Sequence, residues 1–210
     1  MSRKTKTKYV LFLFSFYFLS YFLIQSVIAS GHNLLTSLDQ LIPFIPEFIW
    51  IYHTFLPVII LTIIFTIEKK DLFWSILLAC ALAIITLISF YIWLPSFYPR
   101  HELLVTNSSE WLVHITWLVD GAHNTFPSSH VTFSWLLFYF FSDSKMAAKK
   151  QWMKIVFFVW AVLISFSTLF LKQHYIFDVL SGMVLAVICH RFSKFLLFKK
   201  YTLTNKESLV

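Results

Sequence analysis

Two histidines, His130 and His174, stand in the most polar stretches of an otherwise apolar chain. The first closes the run Asp120-Gly121-Ala122-His123-Asn124-Thr125-Phe126-Pro127-Ser128-Ser129-His130. The second lies in Ser167-Thr168-Leu169-Phe170-Leu171-Lys172-Gln173-His174-Tyr175-Ile176-Phe177-Asp178. Pro127 followed by Ser128 and Ser129 reads as a helix start with a serine cap. A helix N-terminus presents unpaired N–H groups and the positive end of the dipole, so it suits an anion such as phosphate. His130 would sit in the first turn beside that anion. His174 and Asp178 are four residues apart, hence on one face of the following helix if that helix starts early. A carboxylate beside an imidazole fixes its tautomer and supports the positive charge it acquires. That pairing suits a nucleophilic or basic histidine. Either motif alone is an ordinary structural feature; together they point to phosphoryl transfer. His32, His53, His101, His114, His123 and His190 have no comparable setting. Of these, His53 and His190 read as packed or interfacial residues, and His123 as a neighbour of the site.

The elements that hold these residues must be membrane helices. Of 210 residues, 59% are hydrophobic and only 13% charged, whereas soluble domains run near ~25% charged. Most of the chain cannot face water. A net charge of +7 would suggest nucleic acid in a soluble protein. Here the cations cluster between apolar runs, as membrane topology signals do, and nucleic acid is excluded as a partner. Cys80 and Cys189 lie inside apolar runs without metal-ligand spacing and read as buried free thiols. No metal site and no cofactor is expected.

Six apolar stretches predict an all-α bundle of six transmembrane helices in one membrane-embedded domain over 1–210, with spans near 9–29, 48–67, 72–93, 128–142, 152–171 and 175–192. The first run is longer than the core of a signal peptide and is read as an uncleaved span. Fifteen of the 17 Lys and Arg residues fall at the N-terminus, in the 68–71 turn, in the 142–154 connector or at the C-terminal end. Positive residues stay cytoplasmic, so both termini are expected there, with 30–47, 94–127 and 172–174 on the periplasmic or extracellular face of a plasma or inner membrane. The two remaining cations, Arg100 and Lys172, lie in those outward segments with the histidine motifs. Residues 94–127 form the one long non-apolar segment. A loop of that length in a compact protein is usually functional.

These motifs resemble those of the type 2 phosphatidic acid phosphatase and haloperoxidase superfamily. Pro127, Ser128, Ser129 and His130 match its Pro-Ser-Gly-His, with Ser129 in place of Gly. Ser167, Thr168, His174 and Asp178 match its Ser-Arg, five residues, His, three residues, Asp, with Thr168 in place of Arg. The resemblance implies a six-helix core with its site at the outer surface and a membrane lipid phosphate as substrate. It implies that His174 attacks phosphorus to form a phosphohistidine, oriented by Asp178. His130 would protonate the leaving oxygen and then activate water or an alcohol. Ser128, Ser129 and nearby backbone donors would hold the non-bridging oxygens. The family's first motif is Lys, six residues, Arg-Pro. Here Arg100 follows Pro99, and Trp93 occupies the Lys position. Arg100 is the expected phosphate ligand, and Lys172 is placed to supply one of the two missing cations.

Fewer cations suit a phosphodiester better than a dianionic monoester, a departure similar to inositol phosphorylceramide and sphingomyelin synthases, which share the His-Tyr pair before Asp. Two enzymatic readings follow: a phosphatase acting on a lipid phosphate or diphosphate, and a headgroup phosphotransferase. A non-catalytic transporter is the third. It would require ionisable residues in mid-span, and His53 alone stands near such a position. A soluble vanadate haloperoxidase conflicts with six apolar spans.

Overall fold

A computed structural model describes residues 1–28 and 30–207, with side chains through Leu197. The elements are α1 (Arg3–Val27), α2 (Ser37–Leu41), a 3-10 turn (Pro46–Phe48), α3 (Ile49–Tyr52), α4 (Phe55–Phe65), α5 (Lys70–Trp93), α6 (Ser108–Asp120), α7 (Ser129–Ser142), α8 (Lys145–Lys149), α9 (Gln151–Phe170) and α10 (Ile176–Glu207). Among the described residues, five stretches are long and apolar enough to cross a bilayer: α1, Pro46–Phe65, α5, α9 and Ile176–Leu197 within α10. Their outer faces carry bare apolar side chains, such as Phe12 and Leu19 on α1 and Ile155 on α9. A continuous apolar surface of this kind requires lipid around it. The fold is an all-α membrane bundle. The expected end of the first span at Ala29 lies outside the described residues.

The predicted fourth span departs from the pattern. Helix α7 has only 14 residues, about 21 Å at 1.5 Å per residue, too short to cross a bilayer core of about 30 Å. Most of its residues are buried, and it packs against α4, α5, α9 and α10. Protein rather than lipid surrounds it, and Ser129, Thr132 and Ser134 are among its buried residues. Thr132 Oγ1 donates to the Ser128 carbonyl at 2.8 Å and to the Gly182 carbonyl at 3.3 Å, joining α7 to α10.

The expected continuous span over 48–67 is broken between α3 and α4, at His53 and Thr54. Pro57, in the first turn of α4, has no N–H with which to continue an incoming helix. The break is bonded from its neighbours: Trp160 Nε1 donates to Thr54 Oγ1 at 2.9 Å, and His53 Nε2 pairs with Thr116 Oγ1 at 3.0 Å. The 94–127 segment is likewise not a bare loop. It contains α6, capped by Asn107, whose side chain accepts from Glu110 N at 3.0 Å.

The two ends of the bundle differ in chemistry. At one end Lys6 Nζ bonds the carbonyls of Ile64 and Ile67, joining the start of α1 to the end of α4. There too Asp143, just past α7, meets Lys194 at 2.9 Å and His190 at 3.0 Å. At the other end Tyr91, near the end of α5, donates to the Pro127 carbonyl at 3.2 Å. Cys80 and Cys189 are free and buried.

Gly182 sets how closely α10 approaches α7. A Cβ there would lie 2.7 Å from the Ser128 carbonyl oxygen and 3.1 Å from Val131 Cβ. Gly182→Ala therefore forces the two helices apart and is expected to cost about 1–3 kcal/mol. Thermal unfolding in detergent should show a lower midpoint; an unchanged midpoint would mean that the contact is not tight.

Candidate functional site

Both histidine motifs converge at the Tyr91 end of the bundle. Ser128 caps α7, its hydroxyl accepting from Val131 N at 3.4 Å, and its own N–H donates to the Asp178 carbonyl at 3.0 Å. That backbone bond fixes the start of α7 against the first turn of α10. The rings of His130 and His174 lie 5.8 Å apart, centroid to centroid, at 62°. His130 is wedged between Tyr52 and Phe55, each ring at 4.5 Å. Its Nδ1 is buried without a hydrogen-bond partner among the described residues.

His174 Nδ1 lies 3.3 Å from Asp178 Oδ2. The pair does not arise as two positions on one helical face, because α10 begins only at Ile176. Asp178 instead turns back as an N-terminal cap: its Oδ2 accepts from Tyr175 N at 2.9 Å and meets the imidazole with the same atom. With Nδ1 held by the carboxylate, Nε2 is the nitrogen left to act on a substrate.

A second carboxylate supports this helix start. Asp39 Oδ1 accepts from Ile176 N at 2.8 Å, while its Oδ2 bonds Thr36 in a capping box on α2. Tyr175, stacked on Tyr98 at 4.4 Å, donates to Asn33 at 2.7 Å. Hydropathy alone marks 30–47 as a plain outward segment. The Thr36-Ser37-Leu38-Asp39 pattern, a capping-box signature, is the signal in the sequence that a short helix stands there.

Arg100 reaches the site, but its donors go to protein. Nη1 donates to the Lys172 carbonyl at 2.7 Å, Nε to the Gly121 carbonyl at 3.1 Å, and Nη2 to the Gly121 carbonyl and Gln173 Oε1. The guanidinium also lies over Trp117, 5.3 Å from the ring centre. Burial lowers its pKa and the Asp120 carboxylate opposes that shift; an arginine so placed stays charged. Lys172 does not supply the second cation. Its ammonium bonds the carbonyls of Asp39 and Ile42, and burial lowers its pKa against the pull of Asp39. The backbone explains the turn away: Lys172 adopts a left-handed φ of 54°. Thr168, at the position of the family's arginine, is fully buried and bonds Ser165 O through its hydroxyl at 2.8 Å. Its carbonyl accepts from the N–H groups of Gln173 and His174.

The resulting pocket is narrow, with a cavity volume of about 10 Å³. Ser129, His130, His174, Gln173, Arg100 and Asp120 are among its walls; Ser128 and Lys172 are not. Among the described residues Asp120 is the one carboxylate on that wall. It accepts from Tyr21 OH at 2.7 Å and from Tyr52 OH at 3.0 Å, one bond to each oxygen. Beyond Tyr21, Ser129 and His130 the pocket adjoins a wider apolar cleft of about 280 Å³, bordered by Phe18, Phe22, Leu56 and Ile115 from α1, α4 and α6. Gly121, between Asp120 and the first motif, has φ +64° and ψ −162°, a conformation effectively reserved for glycine, and a Cβ there would strike Gln25 at 2.7 Å.

A family model described as PAP2 superfamily matches residues 70–201, more than half of the chain and both histidine motifs. Uncharacterized protein MJ0662 of Methanocaldococcus jannaschii is 32% identical over 82 residues, which cover 39% of this chain and 32% of that protein. The match thus spans about a third of that relative's length. The crystal structure of Aquifex aeolicus LpxE superposes with a TM-score of 0.50 at 20% identity, covering 82% of this chain and 91% of that one. At that identity the likeness is one of fold.

Proposed function

Because the chain belongs to the PAP2 superfamily, we propose that it is an integral-membrane lipid phosphatase working through a phosphohistidine on His174. The observation that carries this reading is the pairing of two imidazoles 5.8 Å apart on one pocket, one of them backed by a carboxylate. His174 Nε2 attacks phosphorus, the bond from phosphorus to the lipid oxygen breaks, and His130 delivers the proton that oxygen needs. His130, now neutral, takes a proton from water. The water oxygen bonds phosphorus, the nitrogen–phosphorus bond breaks, and phosphate leaves. The apolar cleft beside His130 offers an acyl or prenyl chain a place outside water. The phosphate headgroup then lies at the polar end.

The charge pattern supports both termini in the cytoplasm and the site on the opposite, outer face. The test is the full chain in lipid vesicles, supplied in turn with phosphatidic acid, phosphatidylglycerol phosphate, a polyprenyl diphosphate and lipid A. Free phosphate is expected from at least one with the wild type and not with His130→Ala, and intact cells should hydrolyse an impermeant lipid-phosphate analogue from outside. No phosphate and no new phospholipid from any substrate would overturn the enzymatic reading.

A second reading, headgroup transfer to a lipid alcohol, is favoured by one observation. Arg100 and Asp120 face the same pocket with opposite charges, and Thr168 adds none. Such a balance suits a singly charged phosphodiester better than a dianion. A new phospholipid in place of free phosphate would select this reading.

A further inference from the structure

Gln173 is 3% exposed, and its side chain is held from one end only. Its Oε1 accepts from Arg100 Nη2. A guanidinium only donates, so the amide oxygen must face it and the amide nitrogen must point the other way. Gln173 is on the wall of the pocket that His130 and His174 also line. There Nε2 is buried and has no hydrogen-bond partner among the described residues. A buried amide donor left unpaired is rare in a folded protein and calls for an acceptor supplied from elsewhere. The backbone fixes the side chain's origin as firmly as Arg100 fixes its end. Gln173 N donates to the Thr168 carbonyl at 2.9 Å, and the preceding Lys172 carbonyl is held by Arg100 at 2.7 Å.

We propose that Gln173 is a phosphate-binding donor, its Nε2–H directed to a non-bridging oxygen, with Arg100 as the positioning residue that orients and polarises the amide from behind. This assignment rests on the phosphoryl-transfer reading of the same pocket. It explains how a site with Trp93 and Thr168 at two cation positions still holds an anion. The positive charge of Arg100 reaches the phosphate through a neutral amide. A neutral donor stabilises charge gathering on the oxygens in the transition state without demanding a dianion.

Gln173→Glu keeps the volume and the oxygen that faces Arg100, but presents a carboxylate oxygen to the substrate where a donor stood. With the full chain in lipid vesicles, it is expected to lower kcat by about 10²–10³-fold, the usual loss for one such donor. Inhibition by inorganic phosphate should weaken by about tenfold or more. The thermal midpoint without phosphate should hold or rise, since the introduced carboxylate would pair with Arg100. A merely structural glutamine would give the reverse pattern, a lower midpoint with phosphate inhibition unchanged. Gln173→Met, of similar length with neither donor nor acceptor, carries the same test if the glutamate variant does not fold. Its kcat and phosphate inhibition should fall in the same direction. Wild-type turnover together with variants within threefold of it in both kcat and phosphate inhibition would overturn the assignment while leaving the phosphatase reading intact. A wild type that neither turns over lipid phosphate nor binds inorganic phosphate would overturn both.

Discussion

Replacing His174 with alanine is expected to reduce phosphate release by about 10⁴-fold or more, since the nucleophile of a covalent mechanism has no substitute in its pocket. The pocket contains two further imidazoles, His123 and His130. His130 is pinned between Tyr52 and Phe55, and neither has a carboxylate partner like Asp178 among the described residues. Neither is set up to take over the attack. The loss should fall on kcat, measured with saturating lipid phosphate in vesicles, because Gln173 and Ser129 remain on the pocket wall with Arg100 behind the amide. The fold should survive. Asp178 Oδ2 keeps its bond from Tyr175 N, and the Ser128 N–H keeps the Asp178 carbonyl. Retained activity in His174→Ala, with an unchanged melt, would remove the phosphohistidine from the mechanism.

His130→Ala should lose about 10²–10⁴-fold, the range for a positioned general acid and base. Its signature differs from that of His174→Ala. A substrate with a good leaving group, such as a nitrophenyl phosphate ester, needs little protonation of the departing oxygen. The first step should then be largely restored while the second, which needs an activated water, stays slow. Phosphoenzyme should accumulate, visible as a burst of nitrophenol close to one per chain followed by slow turnover. Equal losses with lipid and nitrophenyl substrates, and no burst, would place His130 outside the proton transfers.

Much of the fold was readable from apolar run length alone. The stretches around α1, α5, α9 and α10 are apolar throughout, and no structure other than a helix satisfies their backbone in lipid. Helix α7 comes from the shortest of the six apolar stretches, and periodicity does not distinguish a helix buried in protein from one buried in lipid. Its polar Ser129, Thr132 and Ser134 were the available hint. Pro57 signalled the break in the second span, yet proline near the start of a helix is also commonplace.

At the site, His130, His174 and Asp178 were legible because each sits in a local pattern with chemistry attached. Arg100 and Lys172 were legible only as cations on the outward side. Where a long flexible side chain ends depends on its tertiary surroundings, and here both end on main-chain carbonyls. Gln173 and Asp120 act through contacts with Arg100, Tyr21 and Tyr52, residues 73 to 99 positions away in the case of the bonds to Arg100 and Tyr21. No local pattern encodes such contacts. Asp39 is the intermediate case, marked by its capping box but not by its reach to Ile176.

Rapid quenching of the vesicle-bound enzyme with lipid carrying radiolabelled phosphate addresses the shared pocket most directly. The label should be found on His174 of the wild type, stable to alkali and lost in acid, and absent from His174→Ala. Label on another residue, or turnover of the lipid by the wild type with no covalent label, would contradict the two-imidazole mechanism.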